Sequence, residues 1–338
     1  KDRPVTMSIG DGANDVSMIH EAQIGVGISG REGRHAANNA DFAFAQFRFL
    51  ARLILVHGRW DYLRTCKVVL YSFFKNLVLV SMLFFSCVYN GWSGTVLTDP
   101  LILAGYNFYL GAPIIAVGVF DRDVPEEAAM ALPQLAHASG LRKEQLNLFV
   151  LVWWTAQAFL LGGALLGLGT LAGAARDGHE LAEALPVGQD GTDGGRLVLG
   201  FAMFTALILV MQVKVGVMTC TWTWVNHVLL FLSVLGFFLF AILYALFPAV
   251  WDWYYVPMYS MGQSWFWVTV LLLTVTISLA DWALSAALGW VAPSKLDELH
   301  AAVARGGWQA PRPEAPGGGG DAAESAAAAA AAAEEGDA

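Results

Sequence analysis

Six consecutive residues, Gly10-Asp11-Gly12-Ala13-Asn14-Asp15, follow directly on the apolar run Val5 to Ile9 and set two carboxylates four positions apart between glycines. Phosphoryl transfer needs a divalent cation to neutralise developing charge, and hard Mg²⁺ is held by one or two carboxylates together with phosphate and water. Glycine lets the backbone turn sharply enough to supply both acids from one strand end. In this reading Asp11 is the direct ligand and Asp15 the supporting acid at the metal, while Asn14 and Asp15 contact the phosphoryl group or orient the metal's waters. By composition alone the hexapeptide also reads as a solvated Asp/Gly/Asn turn capping a helix, the commoner fate of such segments.

A second set of polar residues sits in apolar surroundings. Lys75 lies about a third of the way into the first long apolar stretch, with Asn76 beside it and Asn107 in the next stretch. An ammonium inside a bilayer is expensive enough to mark a functional site by default. The competing reading is a lysine that snorkels along its alkyl stem to the headgroups. Asn107 either completes a polar groove with Lys75 or bonds a neighbouring helix. Lys214 and Gln212 read as the end of the fourth span, with Lys214 snorkelling, and Asp281 in the last span faces the bundle interior or an aqueous cavity. Asp121, Asp123, Glu126 and Glu127 lack the twelve-residue spacing and turn glycine of a Ca²⁺ loop and read as a loop cap. Cys66, Cys87 and Cys220 share no metal-ligand spacing and read as packing residues.

These residues must be positioned by elements of two kinds. With 57% hydrophobic and only 14% charged residues and a mean hydropathy of +0.54, most of the chain belongs in a membrane. The formal charge of −9 argues against a nucleic-acid partner. Residues 1 to about 47 read as soluble α/β, with strand-like Val5 to Ile9 and Ile24 to Ile28 around a helical stretch. Residues 48–67 carry Arg48, Arg52, Arg59, Arg64 and Lys67, the pattern of a cytosolic stalk entering a bilayer. Within 68–292, six stretches are long enough to cross, at about 68–90, 99–120, 147–173, 197–219, 225–247 and 265–291. Basic residues in the stalk and the 121–146 loop put that side in the cytosol. Trp251, Trp253, Tyr254, Tyr255 and Tyr259 read as an interfacial aromatic belt on the other side. After Pro293 a short amphipathic piece leads into Gly317 to Gly320 and an alanine run, so residues 293–338 read as a disordered cytosolic tail.

The order of these words resembles one family. Gly10 to Asp15 matches the hinge motif of P-type ATPases, a branch of the haloacid dehalogenase-type phosphotransferases, and Val16-Ser17-Met18-Ile19 continues it in the lipid-flippase form. Ile24 to Gly30, Glu32-Gly33, Ala40-Asp41 and Phe44 to Leu50 come next, then His57-Gly58-Arg59-Trp60, Tyr62, Tyr71 and Lys75-Asn76. Tyr106-Asn107, Phe120-Asp121, Asp123 to Glu126, Trp222-Thr223 and Asn226-His227 extend the resemblance over about residues 5–290. The chain is thereby identified as similar to the C-terminal part of a type IV, phospholipid-transporting P-type ATPase. It departs from the pattern at His35, at Asn38-Asn39, and at Leu110-Gly111-Ala112 before Pro113, where Ser or Thr is common.

The resemblance implies a six-span α-helical membrane bundle preceded by the C-terminal edge of an α/β phosphorylation domain. It implies ATP as substrate, Mg²⁺ as cofactor, and movement of phospholipid from the outer to the cytosolic leaflet through an aspartyl phosphate. Lys75, Asn76 and Asn107 then belong to the lipid path. The phosphorylated Asp-Lys-Thr-Gly segment is absent from this sequence, so a catalytically inactive fragment or an incomplete gene model is expected. A eukaryotic endomembrane or plasma membrane is implied as location. A small two-span accessory subunit would meet the 174–196 and 248–264 loops. A cation-transporting P-type ATPase would share the hinge motif, but apart from Asp99 at the very start of the second, the first two spans hold no Asp or Glu before Asp121. A soluble phosphatase fused to an anchor, or a non-catalytic membrane scaffold, are the remaining alternatives.

Overall fold

A computed structural model describes residues 5–29, 34–134, 140, 143–177, 195–247, 253–291 and 295–305. Three short strands, β1 (Met7–Gly10), β2 (Ile24–Ile28) and β3 (Phe42–Phe44), form a parallel sheet in that order. Met7 pairs with Ile24 and Val26 with Phe42. Parallel neighbours need crossovers, supplied here by α1 (Val16–Glu21) and α2 (His35–Asn38). Val26, Ile19 and Ala36 are buried between sheet and helices.

From Phe49 the chain is helical without interruption to Tyr89: α3 (Phe49–Arg52), a π-helical turn over Leu53–Gly58, and α4 (Arg59–Tyr89). These 41 residues rise about 60 Å, roughly twice a bilayer's hydrocarbon core. This helix is therefore longer than one crossing needs, and its arginine-rich N-terminal part is the segment expected above as a stalk. After a loop, α5 (Pro100–Ala104) starts on Asp99, whose Oδ1 accepts from the Leu101 amide at 2.8 Å, with Pro100 at the first helical position. It continues through Gly105 into α6 (Tyr106–Phe120), which runs unbroken past Pro113. The later elements are α7 (Glu126–Ala131), α8 (Leu148–Asp177), α9 (Gly195–Met218), α10 (Trp224–Ala245), α11 (Val256–Gly262), α12 (Ser264–Val291) and α13 (Lys295–Ala304).

Six helices are long and apolar enough to cross a membrane, and they coincide with the six expected stretches. Helix α9 is the centre: 89% of its most apolar window is buried, against 22–44% for the other five. A helix that is apolar all round belongs inside a bundle. Tyr71, Phe74 and Met82 of α4, Tyr106 and Leu110 of α6, and Phe237 of α10 close around Phe201 and Phe204 of α9. Helices α4 and α8 cross so closely that a Cβ at Gly162 would lie 2.0 Å from Ser81 Oγ. Ser81 Oγ donates to the Ala158 carbonyl across that contact at 3.1 Å.

Two expectations need correction. Trp253 is not part of an interfacial belt but fully buried, edge-on to Phe201 at 5.6 Å; Tyr254, Tyr255 and Tyr259 remain exposed, and Trp251 lies outside the described residues. Residues 295–304, expected to belong to a disordered tail, form α13. That helix docks Leu299 against Val56, Trp60, Val124 and Ala129 beside the stalk. Burial of its apolar stripe decides its structure, whatever the composition of the residues C-terminal to it. The Gly317–Gly320 and alanine segments lie outside the described residues.

Candidate functional site

The hexapeptide turn occupies the C-terminal end of β1, the end at which parallel α/β sheets bind ligands. Ala13–Asp15 form a single 3₁₀ turn leading into α1. The two carboxylates are not equivalent. Asp15 folds back so that its Oδ2 accepts the amides of Asp11 at 3.1 Å and Gly12 at 3.2 Å. A Cβ at Gly10 would sit 2.3 Å from Asp15 Cβ, so only glycine leaves room for that return. Asp11 and Asn14 are exposed. One acid is thus fixed as a support and one is presented to solvent, a donor set that fits Mg²⁺ when phosphate and water complete its shell. Among the described residues no group of three or more His, Cys, Asp or Glu is placed to hold a metal by itself.

Within the bundle Lys75 is buried on α4, and its Nζ donates to Asn107 Oδ1 on α6. The Tyr106 hydroxyl donates to the Lys75 carbonyl at 2.9 Å, and its ring centroid lies 5.6 Å from the ammonium. Asn107 is exposed while Lys75 is not, so the pair presents an amide outward with a cation behind it. Lys75 and Asn107 are therefore brought together. Asn76 is not: one residue on, it is turned by about 100° around the helix and is exposed.

Sequence reasoning missed a third polar site. Lys214 is not a snorkelling lysine: it is 6% exposed, and its Nζ donates to both carboxylate oxygens of Asp281 at 2.8 Å. Gln157 Nε2 adds a bond to Asp281 Oδ1 at 2.6 Å. The ammonium packs 4.8 Å from the ring centroids of both Phe74 and Trp154. A lysine in one span and an aspartate in another was the available signal, since charges inside membranes pair. Gln212, also expected near the span end, is buried and donates to Ser233 Oγ, which donates to the Tyr109 carbonyl.

The acidic loop is likewise more than a cap. Asp123 receives both terminal nitrogens of Arg59 at 2.7 and 2.6 Å, with His300 of α13 at 3.3 Å. Asp121 accepts from Lys67 Nζ at 2.6 Å and from the amides of Cys220 and Thr221 at 2.9 and 2.8 Å. Arg52 pairs with Glu126 at 2.7 Å. Lys67 also donates to Cys220 Sγ at 3.2 Å, so that cysteine belongs to a polar junction and not to packing. Burial pushes the Asp123 carboxyl upward, but the bonds from His300 and Arg59 outweigh it and hold the group below the usual carboxylate value.

Comparison with known proteins identifies the family. The model of the phospholipid-translocating P-type ATPase C-terminal family matches residues 37–294. Phospholipid-transporting ATPase ID of Homo sapiens is 36% identical over 285 residues, 81% of this chain and 22% of that protein. Phospholipid-transporting ATPase IC of Xenopus tropicalis is 34% identical over 314 residues, 88% of this chain and 24% of that protein. Probable phospholipid-transporting ATPase 7 of Arabidopsis thaliana is 35% identical over 244 residues, 72% of this chain and 19% of that protein. The chain spans about a fifth to a quarter of the length of these curated relatives. With a family model covering most of its length and an ordered set of matching motifs, the chain belongs to the phospholipid-translocating P-type ATPases.

Proposed function

We propose that this chain carries the last six spans and the adjoining hinge turn of an ATP-driven phospholipid translocase. It works within a longer polypeptide that moves phospholipid from the outer to the cytosolic leaflet through an aspartyl-phosphate cycle. The three-stranded sheet is the C-terminal edge of a haloacid dehalogenase-type phosphorylation domain, and the sheet side is cytosolic. Mg²⁺ bound at the turn would neutralise charge on the transferred phosphoryl group. Asp11 offers the metal its carboxylate, Asp15 holds the turn, and Asn14 contacts the phosphoryl group. Lys75, Asn107 and, on the outward face, Asn76 contact the headgroup. A small two-span accessory subunit would meet the 174–196 and 248–264 loops, of which residues 178–194 and 248–252 lie outside the described residues. The protein would reside in a eukaryotic endomembrane or the plasma membrane.

The observation that carries this reading is the buried Lys75 ammonium held at Asn107, a polar pair with no carboxylate partner among its described contacts. Such a pair suits an anionic or zwitterionic headgroup and repels cations. The cation-pump reading needs free carboxylates in the bundle, and Asp281 already has both oxygens bonded by Lys214. The test is headgroup-specific uptake of fluorescent phospholipids in flippase-deficient cells, comparing the full-length protein with its Lys75→Ala and Asp11→Asn variants. ATP-dependent uptake by the parent, lost in both variants, is expected. A parent that moves no lipid but hydrolyses ATP in response to a cation would return the chain to the cation pumps.

A further inference from the structure

We infer that the Lys214–Asp281 pair is a positioning device for Lys75: it fixes Phe74 and so sets the rotation of α4 that aims the next residue at Asn107. The inference rests on Lys75 being a headgroup contact. Asp281 binds the ammonium through both oxygens and is braced by Gln157. The remaining surface of the ammonium lies against Phe74 and Trp154, which themselves meet edge to face at 5.3 Å. Lys214 thus ties α9 and α12 to one side chain of α4 and one of α8.

Helix α4 is gripped at this level on a single stripe. Tyr71, Phe74, Lys75 and Val78 are all buried, spaced as neighbours on one helical face. Tyr71 donates to the Met211 carbonyl on α9 at 3.3 Å, and Tyr106 of α6 donates to the Lys75 carbonyl. Phe74 is gripped by Lys214 and Lys75 by Asn107, from helices on different flanks. A turn of α4 by one side-chain position would break both. Stability alone does not call for such a pair, because apolar residues of similar volume commonly serve as well as a buried ion pair. What apolar residues do not supply is a directional grip on an aromatic face.

The test titrates ATP hydrolysis by the full-length protein in vesicles with phosphatidylserine, phosphatidylethanolamine and phosphatidylcholine, using the lipid that stimulates the parent most. Lys214→Arg keeps both the pair and a cation over the rings and should match the parent. The double variant Lys214→Met/Asp281→Leu removes both charges together. It should keep Tm near the parent while the half-saturating lipid concentration rises about tenfold, the size of one lost cation–π contact. The maximal rate should stay close to the parent's, the signature of lost binding rather than lost chemistry. The exchange Lys214→Asp/Asp281→Lys rebuilds the pair with the ammonium attached to α12, away from its present place, and should show the same loss. Phe74→Leu leaves the pair untouched and should show it too, so the inference stays testable even if the double variant does not fold. A parental half-saturation point in Phe74→Leu, or in either folded double variant, overturns the positioning role. A parent without lipid stimulation overturns instead the reading on which it rests.

Discussion

At the scale of single residues, the turn after β1 holds its two acids in different settings. Asp15 spends its carboxylate on the amides of Asp11 and Gly12, whereas Asp11 is exposed. Asp11→Asn should therefore leave folding stability within about 0.5 kcal/mol, as exposed substitutions do. It should lower Mg²⁺-dependent phosphoenzyme formation by about two orders of magnitude, the usual loss when one preorganised charge contact is removed. Radiolabelled ATP and an Mg²⁺ titration measure this; a parental Mg²⁺ dependence would remove Asp11 as the ligand. Gly10→Ala acts differently, since its new Cβ would meet Asp15 Cβ at 2.3 Å and force the supporting acid away. Turnover should again fall about a hundredfold through misplacement. This time raising Mg²⁺ should not restore it, because the geometry and not the charge is lost.

At the scale of elements, the stalk is locked by the loop between α6 and α7 and by α13. Arg59 and Asp123 are each 4% exposed and bidentate, so Asp123→Asn should cost about 3 kcal/mol, the cost of breaking one partner out of a buried pair. A lowered Tm of the detergent-solubilised protein would register it. Because the Asp123 carboxyl is held below its ordinary value, its contribution is fully present above the unfolded value of about 3.9. It is lost as pH falls through the folded value, so the lock should hold across neutral pH and release only in strong acid. Proteolysis of α13 against pH would show that release, and release between pH 6 and 7 would contradict it. The positions of the six spans and of the first two strands were legible in advance, because each span is a long apolar run and β1 and β2 are short apolar runs beside glycines, whereas β3, three residues with no glycine after it, was not. Their partners were not. Asp123 and Arg59 are 64 residues apart, and Lys214 and Asp281 are 67. A charge near a span end reads as snorkelling until the facing helix is known. Trp253 reads as interfacial for the same reason: only the packing of α9 shows that it is core.

At the scale of the whole molecule, one helical rod joins the two sites. The sheet with the hinge turn lies at one end of the Phe49–Tyr89 helix and Lys75 lies within its membrane part. Around α9 the bundle is packed on all sides, so α4 cannot deform freely where Tyr71 meets Met211, and a displacement at the sheet must be carried as movement of the rod. The one irregular stretch in that rod is the π-helical turn Leu53–Gly58, pinned through Val56 to Trp60, Val124 and Leu299. Such a turn is in effect a one-residue insertion in an α-helix, and these are frequent at functional sites. Deleting Leu55 should convert it to ordinary helix and rotate everything N-terminal by about 100° relative to Lys75. The Arg59–Asp123 contact lies beyond the deletion and should survive, while the Arg52–Glu126 pair should not. The expected protein is folded and still binds phospholipid with parental affinity, yet its ATP hydrolysis no longer rises with lipid. Lipid binding and lipid-stimulated hydrolysis measured on the same preparation separate the cases. If both persist, the rod does not couple the two sites. If both vanish while Tm holds, the π-turn shapes the headgroup site itself, and the coupling must run through the loop contacts at Asp121 and Asp123.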